Sequence, residues 1–172
     1  AALFAALTAI GAFLQIPTGT VPITLQFLFT ALAGLLLGWK WGAISQLLYV
    51  GIGLLGLPVF TQGGGIGYVL QPSFGFLLGL IPAAAVIGAL TARRTGYLTV
   101  LAAVLVGDLI LYAVGVPYMY LILHVYMQSA KTFPALLAAM LVYVPGDTLK
   151  IIVVTALAPV LRRTLVKAVP NL

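Results

Sequence analysis

Apolar residues run along this chain in long blocks, and polar residues are confined to the gaps between them. The blocks cover about 1–16, 23–38, 41–57, 74–92, 97–116 and 134–163, the last interrupted at Pro145-Gly146. A helix needs about 20 apolar residues to cross a bilayer, with a workable range of about 17–25, so each block is read as a membrane span. The second and third blocks are short and nearly touch through "GWKWG" (38–42), which predicts a tight helical hairpin. The segment "VPYMYLILHVYMQSAKTF" (116–133) leaves two readings open, an interfacial helix or an extension of the fifth span. Between the third and fourth blocks, "GLPVFTQGGGIGYVLQPSFGF" (56–76) is too polar and too rich in glycine to span. Its centre, 58–72, is expected to be a mobile lid over an external pocket, with a disordered connector as the alternative. The pattern predicts an all-α integral membrane protein: a compact six-helix transmembrane bundle forming a single domain over 1–172.

Composition agrees. Hydrophobic residues make up 63% of the chain and charged residues 6%, whereas a soluble domain carries about a quarter charged residues. The absence of cysteine excludes disulfides, thiolate metal sites and a cysteine nucleophile. A net charge of +6 is compatible with nucleic-acid binding, but the basic residues are scattered between apolar runs, as topology signals are. With both termini cytoplasmic, Lys40, Arg93, Arg94, Arg162, Arg163 and Lys167 fall inside and Lys131 alone falls outside, as the positive-inside rule requires. A seventh span at 116–130 would carry the C-terminal basic cluster outside. The first block has no basic leader and ends in "QIPTGTVPIT", not at a small-residue cleavage site, so it is not read as a signal peptide. The expectation is that further residues precede Ala1. Trp39 and Trp41 flank Lys40 as interfacial anchors. In the first span, Ala2 and Ala6 form one small-xxx-small pair and Ala5 and Ala9 another. Such spacing lets helix backbones approach closely, and on the residues alone it reads as internal packing.

Only two acidic residues occur, Asp108 and Asp147. An ionisable side chain in a membrane span is costly and marks function by default. Asp147 and Lys150, in "VPGDTLK", sit three apart and share a helix face. Pro145 suits a helix start, Gly146 permits close approach, and Asp147 then falls in the first turn, where the helix dipole favours an anion. Asp108 has Tyr112 one turn further along its face. Either it lines the same cavity as Asp147 or it pairs structurally with Lys150. On the lid, Gln62, Tyr68 and Gln71 offer hydrogen bonds and stacking, and Gly64 lies among the glycines that shape it. No phosphate-binding glycine motif is present. His124 has no acid or second histidine at ligand spacing, so no catalytic metal is expected. Ser45, Ser73 and Ser129 lack a base that would make them nucleophiles. Two classes follow from the residues: a small-solute binder or transporter, or an intramembrane aspartyl enzyme with Asp108 and Asp147 as its dyad. Against the enzyme, the Gly-x-Gly-Asp sequence of such membrane proteases is missing, and Lys150 would hold Asp147 ionised.

The chain resembles the BioY family, the biotin-specific substrate-capture subunits of energy-coupling factor (ECF) vitamin importers. The resemblance lies in "ALFAALTAIGAF" (2–13), "VPITLQFLFTALAGLLLGWKWG" (21–42), "LLYVGIGLLGLPVF" (47–60), the glycine-rich loop, "QPSFGFLLGL" (71–80), "GVPY" (115–118) and "PGDTLK" (145–150). Phe74 departs from the glycine that many relatives carry there. The resemblance implies a multi-pass protein of a prokaryotic plasma membrane that captures biotin from outside. It implies docking on a transmembrane coupling subunit driven by a pair of cytoplasmic ATPases, with ATP used only there and no cofactor of its own. A subunit for another small vitamin is the alternative within the same class. The family's helix-one small-residue motif makes Ala2/Ala6 or Ala5/Ala9 the docking face. Its Pro-Gly-Asp-x-x-Lys motif falls on Pro145, Gly146, Asp147 and Lys150. A cyclic urea presents N–H donors beside a C=O acceptor; a carboxylate accepts from the first and an ammonium donates to the second, or to the ligand's carboxylate, and such a site rejects analogues lacking those groups.

Overall fold

The computed structural model describes residues 1–18, 21–93 and 96–168, excluding the side chains of 162–163 and 165–168. Arg94 and the side chains of Arg162, Arg163 and Lys167, all counted in the charge asymmetry, therefore lie outside the described residues. The described chain is almost wholly helical. Helix α1 is Ala2–Phe13, α2 is Gln26–Leu54, α3 is Phe74–Leu90 and α4 is Tyr97–Leu121. A short helix α5, Phe133–Met140, leads through a 3-10 turn, Leu141–Tyr143, into α6, Val144–Ala168. Among the described residues, three helical stretches are long and apolar enough to cross a membrane: Gln26–Leu54, Tyr97–Tyr126 and Phe133–Leu161. The outer surface is as apolar as an interior. Leu3, Leu98, Leu109 and Leu149 are 63–76% exposed, an arrangement that lipid accepts and water penalises.

Two block boundaries are corrected. Residues expected to be helical at the end of the first block and the start of the second form a two-stranded antiparallel ribbon instead. Strand β1, Gln15–Ile16, pairs with β2, Ile23–Thr24, in the register Gln15↔Thr24 and Ile16↔Ile23. Pro17 supplies the reason, since the residue before a proline is pushed out of the helical region. The segment after 116 is an extension of α4. The helix runs through Pro117 and continues as a π-helical turn, Ile122–Tyr126. A proline inside a membrane helix is tolerated where neighbouring groups satisfy the freed carbonyl. Before α6, the 3-10 turn lies just upstream of Pro145, whose ring crowds the carbonyl four residues back and whose missing N–H cannot continue the α ladder.

Helix α2 is the predicted hairpin. Gly38, at φ 78°, breaks it into two arms, a backbone conformation that side chains other than glycine rarely adopt. Three pairings fix the antiparallel register. Gln26 Nε2 donates to Tyr49 Oη at 2.8 Å, Thr30 Oγ1 donates to Gln46 Oε1 at 3.0 Å, and a Cβ on Gly42 would lie 2.9 Å from Gly34 Cα. Each pair is centred on Gly38, so the stretch doubles back and does not run straight. Gly34 also meets α3, where an added Cβ would lie 2.5 Å from the Ala84 carbonyl oxygen. Helix α1 is clasped to this hairpin by polar groups. Thr8 Oγ1 reaches Gln46 Oε1 at 3.3 Å, and Gln46 Nε2 donates to Ser45 Oγ at 3.0 Å, all three side chains being fully buried. The two alanine pairs of α1 then differ. Ala5 is buried in the core and Ala9 half-buried, while Ala2 and Ala6 are exposed together on the outer face.

Candidate ligand-binding site

One end of the bundle holds a pocket between α2, α3, α4 and α6, roofed by the loop after α2. About 620 Å³ of space lies between its lining atoms, with the open solvent at its mouth included. Its apolar walls include Phe27 of α2, Phe76, Leu77 and Leu80 of α3, Leu111 of α4 and Met140 of α5. Its polar lining comprises Thr24, Gln26, Thr61, Tyr68, Ser73, Tyr112, Tyr143, Asp147 and Lys150.

Asp147 lies in the first turn of α6, as the Pro-Gly start predicts. Lys150 Nζ sits 2.5 Å from Asp147 Oδ1, and both side chains are 9% exposed. Tyr112 of α4 donates its hydroxyl to Asp147 Oδ2. Lys150 donates to the Thr24 carbonyl at 3.3 Å. An ammonium carries three protons and a carboxylate about four acceptor positions. Among the described residues Asp147 and Thr24 use two of the first, while Lys150 and Tyr112 use two of the second. One proton and about two acceptor positions are left for an occupant. The cluster continues into α2: Thr24 Oγ1 donates to Gln26 Oε1 at 2.8 Å, and Gln26 donates to Tyr49, whose hydroxyl donates to the Val59 carbonyl at 3.0 Å. A hydrogen-bonded path thus joins the ion pair to the root of the loop.

That loop is fastened as well as glycine-rich. Phe60 is fully buried, its ring 5.5 Å from Tyr49 and 4.6 Å from Tyr68, over Gly53, where any Cβ would strike it. Gly65 N donates to the Gly53 carbonyl at 2.7 Å, Tyr118 Oη to the Val69 carbonyl at 2.5 Å, and Gln15 Nε2 to the Thr61 carbonyl at 3.3 Å. These contacts seat it over the pocket as a cap.

Of the residues expected from sequence, the pocket brings together Asp147, Lys150, Tyr112 and Tyr68. Asp108, Gln62, Gly64 and Gln71 are not part of its lining. Gln62 and Gln71 are exposed, and Gly64 is pressed against the Leu57 carbonyl. Asp108 does not pair with Lys150 among the described residues, and its Oδ1 is buried without a hydrogen-bond partner. Among the described residues no hydrogen bond links it to Asp147, the contact that the shared-proton dyad of an aspartyl enzyme would need. No group of three His, Cys, Asp or Glu able to hold a metal occurs among the described residues. Thr24, Gln26, Thr61 and Tyr143 were not singled out from the sequence, and Ser73 was weighed only as a nucleophile. For Gln26 the signal was present, an uncharged amide at the head of an apolar block, where a polar group must find a partner.

The pair should behave as a unit in folding. Breaking a buried ion pair from one side costs about 3–5 kcal/mol, whereas replacing both partners by apolar groups of like size is often neutral. Lys150→Met and Asp147→Leu should each lower the melting temperature of the detergent-purified protein markedly, and the double variant should recover most of the loss. Additive losses in the double variant would contradict the coupling.

Comparisons with known proteins bear on this geometry. The model of the BioY family matches residues 1–167. The "Probable biotin transporter BioY" of Lysinibacillus sphaericus is 56% identical over 134 residues, 77% of this chain and 68% of that protein. The "Biotin transporter BioY" of Thermotoga maritima is 35% identical over 159 residues, covering 92% of this chain and 90% of the relative. Among solved structures, the S-component for biotin from an ECF-type ABC transporter superposes with a TM-score of 0.82 at 31% identity, over 94% of this chain and 88% of that one. These relatives are named as transporters or transporter components, not as enzymes. On a family match of this extent, and on relatives this similar along most of their length, the chain belongs to the BioY family.

Proposed function

We propose that this chain is the biotin-capturing subunit of an ECF-type importer in the plasma membrane. The observation that carries the reading is the buried Asp147–Lys150–Tyr112 cluster in a walled, capped pocket. Its spare acceptor positions and spare proton match the N–H and C=O groups of a cyclic urea, while Phe27, Phe76, Leu77, Leu80 and Leu111 suit the ring and methylene chain. A pocket built to hydrogen-bond such groups discriminates far more strongly than an apolar one. The names of the relatives and of the structural neighbour favour biotin among urea-like ligands.

In this reading the bundle crosses the membrane six times, with the two arms of α2 counted separately, both termini cytoplasmic and the cap facing outward. The basic asymmetry supports this orientation. Transport follows on docking to a transmembrane coupling subunit driven by two ATPases, which consume the ATP; this chain has no cofactor of its own. Ala2 and Ala6 form the docking face, because they are exposed, whereas Ala5 is committed to the core.

Titration calorimetry with biotin tests the ligand. The parent should bind, and Asp147→Asn, which exchanges an anionic acceptor for an amide, should weaken binding by about tenfold or more. Absence of heat with biotin, alongside binding of another vitamin, would move the protein to a different ligand. Orientation is read by an impermeant thiol reagent on this cysteine-free chain. A cysteine at Gly67, where an added Cβ meets nothing within 4 Å, should label from outside, and one at exposed Ala92 should not; the reverse pattern inverts the topology. For coupling, Ala6→Trp should keep biotin binding to the isolated subunit and abolish uptake by the assembled importer. Parent-like uptake would remove Ala6 from the docking face.

A further inference from the structure

The pocket contains a second polar cluster that the ion pair does not touch. Thr61 Oγ1 lies 2.8 Å from Tyr68 Oη, and Tyr68 Oη lies 3.4 Å from Ser73 Oγ. All three residues line the pocket, and they come from the cap, its 3-10 turn and the head of α3. We propose that this hydroxyl trio is a second subsite that takes the tail carboxylate of the ligand while the urea rests on Asp147 and Lys150. The proposal rests on the biotin reading and adds an end-to-end orientation to it.

Three observations carry it. Biotin has two polar ends joined by an apolar chain. The pocket likewise has two polar clusters, with no hydrogen bond between them among the described residues, and apolar walls such as Phe76 and Leu77. Charge then sorts the ends. A ligand carboxylate beside Asp147 would meet like charge, and Lys150 is already shared between Asp147 and Thr24. The hydroxyl trio is neutral and can donate. Three hydroxyls hold three protons, and their two mutual contacts use two, one of them weakly at 3.4 Å. Ser73, although it precedes α3, makes no side-chain bond to the helix end, so its oxygen is not committed there. The Tyr68 ring is held between Phe60 and Phe74, at 4.6 and 6.4 Å, which fixes its hydroxyl in place. A carboxylate on this trio bonds the cap to α3 and closes the roof over the ligand that brought it.

The test pairs ligand changes with residue changes. Biotin and biotin methyl ester, which keeps the urea and removes the anion, are titrated into the parent, Tyr68→Phe, Ser73→Ala and Asp147→Asn. The parent should prefer the acid by about tenfold or more, the scale of a charge-assisted hydrogen bond. Tyr68→Phe and Ser73→Ala should lose most of that preference by weakening the acid, with ester affinity changing by less than about twofold. Asp147→Asn should weaken both ligands alike and keep the preference. A preference that survives in Tyr68→Phe and Ser73→Ala, or that vanishes in Asp147→Asn, overturns the subsite while leaving biotin capture standing. Failure of the parent to bind biotin removes the functional reading and the subsite with it. If Tyr68→Phe melts early, Ser73→Ala and Thr61→Val carry the same comparison.

Discussion

Hydrocarbon offers no hydrogen bonds, and that constraint organises this molecule. A polar group inside the bundle must find a partner within the protein or remain a standing cost of several kcal/mol. Ser45 and Thr155 meet it locally, each returning its hydroxyl to a carbonyl of its own helix, and Thr8 and Thr30 share theirs between such a carbonyl and Gln46 Oε1. Gln46 cannot be satisfied that way. It gathers Thr8, Thr30 and Ser45 around one amide and so ties α1 to the hairpin. At the pocket the same requirement draws Tyr112, Thr24 and Lys150 around Asp147. Structural clasp and binding site are two answers to one problem. They differ in that the second leaves bonding capacity unused.

Close backbone approach makes the pocket possible. The Gly38 turn folds α2 back on itself, and Gly34 and Gly42 let its arms touch nearly backbone to backbone. Gly34 also admits α3. With no bulk needed there, the large side chains are used at the other end, where Tyr49, Phe60, Tyr68, Phe74 and Tyr118 form a continuous aromatic series under and around the cap. The helices are tight at the turn of the hairpin and held apart by rings at the pocket.

Much of this was legible in the sequence because membrane helices write their limits in apolar length and their functional points in rare charge. Asp147, Lys150 and Tyr112 stood out for that reason, and the hairpin followed from two short blocks almost in contact. The ribbon at Gln15–Thr24 was obscured because isoleucine and valine look the same to a hydropathy reading in a strand or a span. On the cap, side-chain polarity suggested Gln62 and Gln71, yet a loop has no period to say which way a residue faces. Seating Phe60 on Gly53 decides that, turning Tyr68 and Thr61 inward and both glutamines out. Asp108 shares a helix face with Tyr112, but one turn of helix is about 5.4 Å, and that step separates a residue of the lining from one outside it.

The bond from Tyr49 to the Val59 carbonyl has a mechanical side. Lifting the cap means parting the buried Tyr49 hydroxyl from the half-buried Val59 carbonyl, beside a phenylalanine ring lodged over a glycine. Opening the roof therefore gives up a hydrogen bond and a ring contact together.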